Sequence, residues 1–580
     1  MIKTLSKCIR EYKLSSILTP FLVCLEVIME VLIPFLMGKL IDNGINKGDT
    51  GFVVKTGLLL IVLCVFSLFF GSAAGITAAK ASAGFAKNLR HDMFHNIQSF
   101  SFANIDKFSS SGLVTRLTTD ITNLQMSYQM IIRIAVRSPA MLLFSLIMAM
   151  GVNSKISVIF LCVIPLLALG LALVVKNAHP IFKRVFKTYD KLNNVVEENL
   201  RGIRVVKSFV REKQEEGKFR EVSETIYNDT RKAENIIAYN APMMQLATYA
   251  CILLISWFSA NLIVTTGETE MTTGDLVSVL SYVMQILMNL MMLSMIFVML
   301  TMSKAAGERV CEVLNEESDL KNPENPVFEV ADGSVDFDGV SFAYSKESES
   351  FCLKNVDIHI KSGETVGIIG STGSSKTTLV QLISRLYDTS EGTVRVGGRD
   401  VKEYDLDTLR NAVAMVLQKN VLFSGTIKDN LRWGKEDATD EEMIEVCTLA
   451  QAHPFILEKE NGYDTFIEQG GSNVSGGQKQ RLCIARSLLK HPKVLILDDS
   501  TSAVDTATDA MIRKAFREYI PETTKIIIAQ RISSIEDADM VIVLDDGGIS
   551  GFGTPKELLE NNEIYREVYF SQKKGGTDNE

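Results

Sequence analysis

The chain is poor in the features that staple or charge a protein. Its nine cysteines (Cys8, Cys24, Cys64, Cys162, Cys251, Cys311, Cys352, Cys447 and Cys483) are scattered over 580 residues and form no CxxC pair. Several lie inside apolar runs, so a disulfide framework and a zinc site are set aside and reduced thiols are expected. There is no basic excess either: 60 Lys and Arg face 69 Asp and Glu, for a net charge of −9. A nucleic-acid partner usually needs the opposite sign. Length excludes a single domain. Long apolar runs are nearly absent beyond residue 305, and residues 320–580 read as an ordinary soluble domain. The basic start (Lys3, Lys7, Arg10, Lys13) is followed by an apolar stretch from about Ser15 to Leu40. That stretch is too long for a signal peptide's apolar region and no small-residue cleavage site follows. It reads as a first membrane helix with a cytoplasmic basic flank.

What is present in the first half is six stretches of membrane-spanning length: about 16–37, 57–79, 134–152, 156–175, 243–264 and 276–301. The loops after the second and fourth are long, roughly 80–133 and 176–242. The second carries fourteen Lys and Arg between Lys176 and Lys232, whereas 264–275 carries none. Positive charge marks the cytoplasmic side, which puts both termini there. Within these loops, 89–100 and 195–219 show helical spacing of apolar residues. They are expected to continue the spans as helices, with turns near Asp106–Thr115 and Lys207–Lys213 that reach another domain.

Two patterns inside the spans carry chemistry. Met284, Met288, Met291, Met295, Met299 and Met302 recur at steps of three and four on one helix face. Such a stripe packs against helices or lipid, or presents a polarizable surface to apolar ligands. Glu26 and Glu30 lie one turn apart in span one, and Arg133 and Arg137 one turn apart at span three. Ionisable groups at that depth pair with one another or face a polar cavity that favours cations.

After a polar, Pro-containing linker at 315–333 comes TVGIIGSTGSSKTTLVQLI (365–383). A buried strand, a turn holding Gly370, Ser371, Thr372, Gly373, Ser374 and Ser375, and a helix opening at Lys376 form a phosphate cradle. Lys376 reaches the outer phosphates, the Thr377 hydroxyl ligates Mg²⁺, and Thr378 follows in the helix. Ser375 stands where GxxxxGK[ST] has its second Gly. Some 120 residues on, KVLILDD (493–499) is a second buried strand, ending in Asp498, which suits Mg²⁺ through water. Between them lies NVSGGQKQR (473–481), where Ser475 and the backbone at the start of a helix offer a second anion site.

With these motifs in order over nearly its full length, the chain resembles a half-transporter of the ATP-binding cassette exporter family, type I fold. The resemblance implies an α-helical six-span transmembrane domain (1–314), the linker (315–333), an α/β P-loop nucleotide-binding domain (334–570) and a flexible tail (571–580). VSGGQ (474–478) resembles the signature motif, with Ser475, Gly477 and Gln478 acting on the nucleotide of a second chain. Tyr344 in VSFAY matches the adenine-stacking aromatic and Gln418 the Mg²⁺- and water-sensing glutamine. EQGGSN (468–473) occupies the place of the X-loop, SAVD (502–505) that of the D-loop, and GIRVVKSF (202–209) resembles the second cytoplasmic loop. ATP and Mg²⁺ are the implied cofactors. Membrane lipid and a small hydrophobic substrate are the implied surroundings, in the cell membrane.

Three positions depart from the family pattern. Where active members carry Glu after the Mg²⁺ aspartate, this chain has Asp499. Where they carry the switch-loop His, it has Gln530, and Ser375 replaces a Gly. A carboxylate shorter by one methylene places water poorly, and an amide cannot carry an imidazolium's charge. VSGGQ, by contrast, keeps Ser, Gly, Gly and Gln. The expectation is a degenerate subunit of a heterodimeric exporter of amphipathic compounds, whose partner half-transporter supplies an intact Glu and His. A homodimeric lipid or peptide exporter with slow ATPase, or an ATP-gated regulatory or channel-like protein, are the alternatives.

Overall fold

The computed structural model describes residues 1–345, 350–499 and 504–577. It divides into two compact units. The first comprises Met1–Gln98 and Ser110–Glu316, and the second Ser99–Ser109 with the chain from Glu317 onward.

The first unit is helical. Among the described residues, six helical segments are long and apolar enough to cross a membrane: Arg10–Ile45, Thr50–Gln98, Ser110–Val152, Ser154–Arg201, Glu212–Thr266 and Thr273–Leu293. Thr50–Gln98 runs 49 residues, about 74 Å at 1.5 Å per residue, against a hydrocarbon core of about 30 Å. The long loops are therefore helices that leave the bilayer, as their apolar spacing indicates. Where the first and sixth spans cross, backbone meets backbone: a Cβ on Gly274 would lie 2.1 Å from the Gly38 carbonyl oxygen. Small residues permit this approach, and packing in lipid depends on such contacts. Asp42 ties the same end, accepting hydrogen bonds from Gly274 N at 2.8 Å and Thr272 Oγ1 at 2.6 Å.

Span one carries its two carboxylates as a paired group. Arg137 Nη2 donates to both Glu30 oxygens at 2.8 and 2.7 Å, and its Nε lies 3.6 Å from Glu26. Of the Met stripe, Met284, Met288, Met291 and Met295 are 47–72% exposed and Met299 is half-buried, while the Met302 side chain lies outside the described residues. At the far end of the second long loop, the helix Ile203–Ser208 leads to Val210 at φ 53°, and Val205, Phe209 and Val210 are 59–79% exposed.

The second unit is α/β. Its strands are β1 (Val335–Phe342), β2 (Leu353–Ile360), β3 (Thr365–Gly370), β4 (Glu391–Val396), β5 (Arg399–Asp400), β6 (Val413–Val416), β7 (Gly425–Thr426), β8 (Phe466–Ile467), β9 (Val494–Asp498), β10 (Thr524–Ile528), β11 (Met540–Asp545) and β12 (Gly548–Gly553). The main sheet has the order β12-β11-β3-β10-β9-β6 and a smaller sheet the order β2-β1-β4-β5. β11, β3, β10, β9 and β6 are parallel. Both faces of this parallel sheet are covered, which is why its strands read as unbroken apolar runs. Val366, Ile368, Val494, Ile496, Ile526 and Ile528 point into one core, and Ile369, Leu495, Leu497 and Ile527 into the other.

Three features lie at the boundaries of the units. The helix Phe102–Phe108, from the first long loop, belongs to the second unit. Within the linker, Val327 forms an isolated parallel bridge with Tyr404. Of the segment expected to fray from residue 571, the part up to Thr577 continues the last helix, Glu563–Thr577, and 578–580 lie outside the described residues.

Candidate functional site

The parallel register assembles the site. Ile528 of β10 sits opposite Asp498 of β9 and Ile368 of β3. The turn after β3, the carboxylates ending β9 and the loop after β10 therefore emerge side by side. Gln418 joins them because Val416 of β6 is opposite Leu497 of β9. In open α/β sheets ligands bind at these carboxyl ends.

The phosphate cradle is built around Gly370. A Cβ there would lie 2.2 Å from the Leu544 carbonyl oxygen, so only glycine lets β3 and β11 run this close. Ser371, Thr372 and Gly373 are exposed, and Ser374 is buried. Ser375 adopts φ 66°, ψ 25° just before the helix Lys376–Ile383 and makes no side-chain cap. That left-handed conformation favours the Gly that the family pattern has here. Lys376 folds back over the turn, donating to Ser371 O at 2.7 Å, Gly370 O at 2.9 Å and Ser374 Oγ at 3.3 Å. Burial pushes its ammonium pKa down, opposed by Asp498 and Asp499.

Thr377 Oγ1 donates to Asp498 Oδ2 at 2.9 Å. Asp498 is 2% exposed, and burial raises its pKa. One hydroxyl and one buried carboxylate this close fit Mg²⁺, which prefers few protein oxygens and keeps water and phosphate ligands. Among the described residues no group of three or more His, Cys, Asp or Glu could hold a metal by itself. Mg²⁺ held here would neutralise charge on the nucleotide's phosphates.

The two departures at the hydrolytic end meet each other. Gln530 Nε2 donates to Asp499 Oδ2 at 2.9 Å, and Gln418 Nε2 lies 3.5 Å from the same oxygen. Asp499 stands at φ 46°, and its backbone N donates to Ile528 O at 3.0 Å. The amide in the His place thus engages the carboxylate in the Glu place.

Tyr344 is brought to the same cluster by its hydroxyl, 2.8 Å from Thr378 Oγ1. Its ring is half exposed and edge-on to Tyr387, with centroids 5.2 Å apart. Tyr387 was not foreseen from the sequence. Its hydroxyl donates to Asp106 Oδ2 at 2.8 Å, and its ring meets Phe102 at 6.1 Å. An aromatic just past the P-loop helix was the only available signal.

The signature residues stand apart from this cluster. Ser475 caps the helix Gly476–Leu488: its Oγ accepts from Gln478 N at 3.3 Å, and Gln478 Oε1 accepts from Ser475 N at 3.1 Å. This reciprocal cap leaves an ordered helix N-terminus at the surface, with Ser475 and Gly476 exposed and Gly477 partly so. Of the SAVD stretch, Ser502 and Ala503 lie outside the described residues. Asp505 caps the following helix by accepting from Thr508 N at 2.9 Å.

Known proteins match this arrangement. Residues 16–291 match the ABC transporter transmembrane region family and residues 353–502 the ABC transporter family. The uncharacterized ABC transporter ATP-binding protein YfiB of Bacillus subtilis (strain 168) is 37% identical over 97% of both chains. The probable multidrug resistance ABC transporter ATP-binding/permease protein YheI of the same organism is 32% identical over 93% of both. A bacterial Atm1-family ABC exporter solved with ATP bound superposes with TM-score 0.80 at 23% identity, covering 97% of this chain and 98% of that one, and so shares its fold.

Proposed function

Since this chain belongs to the ABC transporters, as a multi-pass, ATPase-coupled exporter half-transporter that binds ATP, we propose that it is the degenerate-site subunit of a heterodimer. Its own Lys376 loop holds ATP with Mg²⁺ at Thr377 and Asp498 but turns it over poorly. Its Ser475–Gln478 cap completes the site of a partner that carries the catalytic Glu and the switch His. Both termini and the second unit lie in the cytoplasm. The cargo is a hydrophobic or amphipathic compound.

The observation that carries this reading is the Asp499–Gln530 hydrogen bond of 2.9 Å. A short carboxylate already accepting from an amide is a weak acceptor for an attacking water. Geometry at that position weighs about 10²-fold per 1 Å. Two copies of such a site would make a slow machine. One copy beside an intact one costs little, because the signature helix lent to the partner is undamaged. The exposed methionines of span six support the cargo class, since flexible thioethers adapt to many apolar shapes. The exposed tip at Val205, Phe209 and Val210 supports a two-chain assembly, being too apolar to remain in water.

The test is ATPase activity of the purified chain alone against the chain co-purified with a second half-transporter bearing Glu and His. Activity at least about 10²-fold lower alone is expected. Full, substrate-stimulated activity alone would replace this reading by a homodimeric exporter in which Asp499 and Gln530 suffice.

A further inference from the structure

The last helix does more than close the second unit. Its Gln572 side chain spends both halves of its amide on the loop that carries Gln530. Nε2 donates to the Gln530 carbonyl oxygen at 2.8 Å, and Oε1 accepts from Ile532 N at 2.8 Å. Those two backbone groups flank Arg531, so one side chain brackets the loop between the end of β10 and the turn Ile532–Ser534.

The bracket is fixed at both ends. Tyr565, 1% exposed, anchors the helix in the same core that contains Ile532 and Ile535, with Val568 and Tyr569 packed against it. On the other side, Ala529 N donates to Ile368 O at 3.2 Å, tying the loop's start to β3. Between these anchors the Gln530 side chain reaches Asp499. A side chain in such a short loop goes where its backbone is held, so the Gln572 amide sets the position of the Gln530 amide.

We propose that Gln572 is a positioning residue for the switch loop: its bidentate bond to Gln530 O and Ile532 N holds the Gln530 amide at the hydrolytic end of the nucleotide site. The proposal rests on the reading of Gln530 as the switch-loop residue. It does not depend on whether the second chain is a copy or a different half-transporter.

The experiment uses the full chain, with its partner where one is required, in lipid nanodiscs. Variants Gln572→Ala, Gln572→Glu and Lys573→Ala are compared with the parent. Lys573, the next position of the helix, pairs with Glu536 at 3.5 Å and with the Tyr569 hydroxyl, and among the described residues it bonds no backbone group of the loop, so its loss controls for helix docking. Three quantities are read: amide hydrogen exchange at Ile532, affinity for Mg·ATP, and the single-turnover rate at which bound ATP loses its labelled γ-phosphate. For Gln572→Ala, exchange at Ile532 rises about tenfold as the bond is lost. Affinity stays within about twofold while the single-turnover rate at this chain's own site rises severalfold, since a displaced Gln530 amide no longer occupies the Asp499 carboxylate. Gln572→Glu falls between, because a carboxylate still accepts from Ile532 N but cannot donate to Gln530 O. Lys573→Ala resembles the parent.

Unchanged exchange in Gln572→Ala overturns the bracket itself. Faster exchange with an unchanged single-turnover rate overturns the positioning role. Equal losses of affinity, rate and thermal stability in Gln572→Ala and Lys573→Ala reduce the helix to a structural prop and overturn it as well. The parent's absolute rate, alone and with a partner, reports separately on the heterodimer reading. Only the ratio of variant to parent reports on Gln572.

Discussion

Ser375 holds φ 66° where its Cβ is unwelcome. A non-Gly residue there costs about 1–2 kcal/mol, partly offset because Gly would be freer in the unfolded chain. Ser375→Gly is therefore expected to raise the thermal midpoint of the nucleotide-free protein slightly without raising hydrolysis, measured by differential scanning fluorimetry beside an ATPase assay. Asp498 gives a pH-dependent prediction. Burial raises its pKa above the ordinary carboxylate value, so the folded state holds its proton more tightly than the unfolded one. Its ionisation then subtracts stability as pH rises from about 4 upward, and the penalty is absent below that. Asp498→Asn should raise the thermal midpoint of the nucleotide-free protein at pH 7, lose that advantage near pH 4, and abolish Mg²⁺-dependent ATP binding. Differential scanning fluorimetry across pH tests the first part. Lys376, Thr377 and Asp498 were legible in the sequence because a strand's apolar run followed by a fixed turn is a local pattern. The bond between Asp499 and Gln530 was not, since it joins residues 31 apart through the register of β9 and β10. Gln572 was hidden for a further reason: a glutamine beside Lys, Gly and acidic residues looks like a frayed end until the helix is seen to bring it back.

The helix Phe102–Phe108 shows what element-level reading reaches. The sequence indicates only a turn near Asp106–Thr115 there; the helix opens on a capping box in which Ser101 Oγ accepts from Asn104 N while Asn104 Oδ1 accepts from Ser101 N. Its membership of the second unit does not follow from the sequence either, because that depends on Tyr387 and Phe102 meeting across 285 positions of sequence. Burial and the neighbouring Asp106 carboxylate push the Tyr387 hydroxyl pKa up, so it stays a donor at any physiological pH. Tyr387→Phe removes that donor and keeps the rings. A hydrogen bond to a charged acceptor is worth about 1.5–3 kcal/mol. Transport coupled to ATP is expected to fall severalfold while ATP affinity holds. Vesicle uptake measured beside nucleotide titration checks this. The crossing of spans one and six is less forgiving. Gly274→Ala would drive a Cβ against the Gly38 carbonyl oxygen at 2.1 Å, and overpacking costs about 1–3 kcal/mol or more when backbone is what must move. Lower yield and a lowered thermal midpoint in detergent are the expected readings. Six spans were visible from apolar run length alone, but a Gly–Gly crossing was not, because glycines recur throughout these helices.

For the whole molecule, the carboxylates in span one decide how the membrane half is held together. Sequence left two uses open for Glu26 and Glu30, pairing with arginine or lining a cavity for cations. In the folded chain Glu30 takes Arg137 through both oxygens, while Glu26 stands 3.6 Å from the same guanidinium and is 8% exposed. Gly71 on the second span makes room for it, since a Cβ there would lie 3.0 Å from Glu26 Oε1. This is the geometry of a structural charge group inside the helix bundle, and its members are unequal. Glu26→Gln removes the weaker carboxylate and leaves the Glu30–Arg137 bonds in place. Substrate-stimulated ATPase should then stay within about twofold of the parent. Arg137→Ala instead leaves two carboxylates one turn apart without their shared partner, and because Arg137 and Glu30 are only half-buried the cost falls below that of a fully buried pair, about 3–5 kcal/mol. A lower yield of folded protein is expected, as read by size-exclusion chromatography. Glu26→Gln and Glu30→Gln added to Arg137→Ala should recover it, because neutral amides no longer need the guanidinium. If Glu26→Gln alone instead abolished stimulation by cationic compounds while sparing neutral ones, the cavity use would stand and the charge group would belong to the transport path.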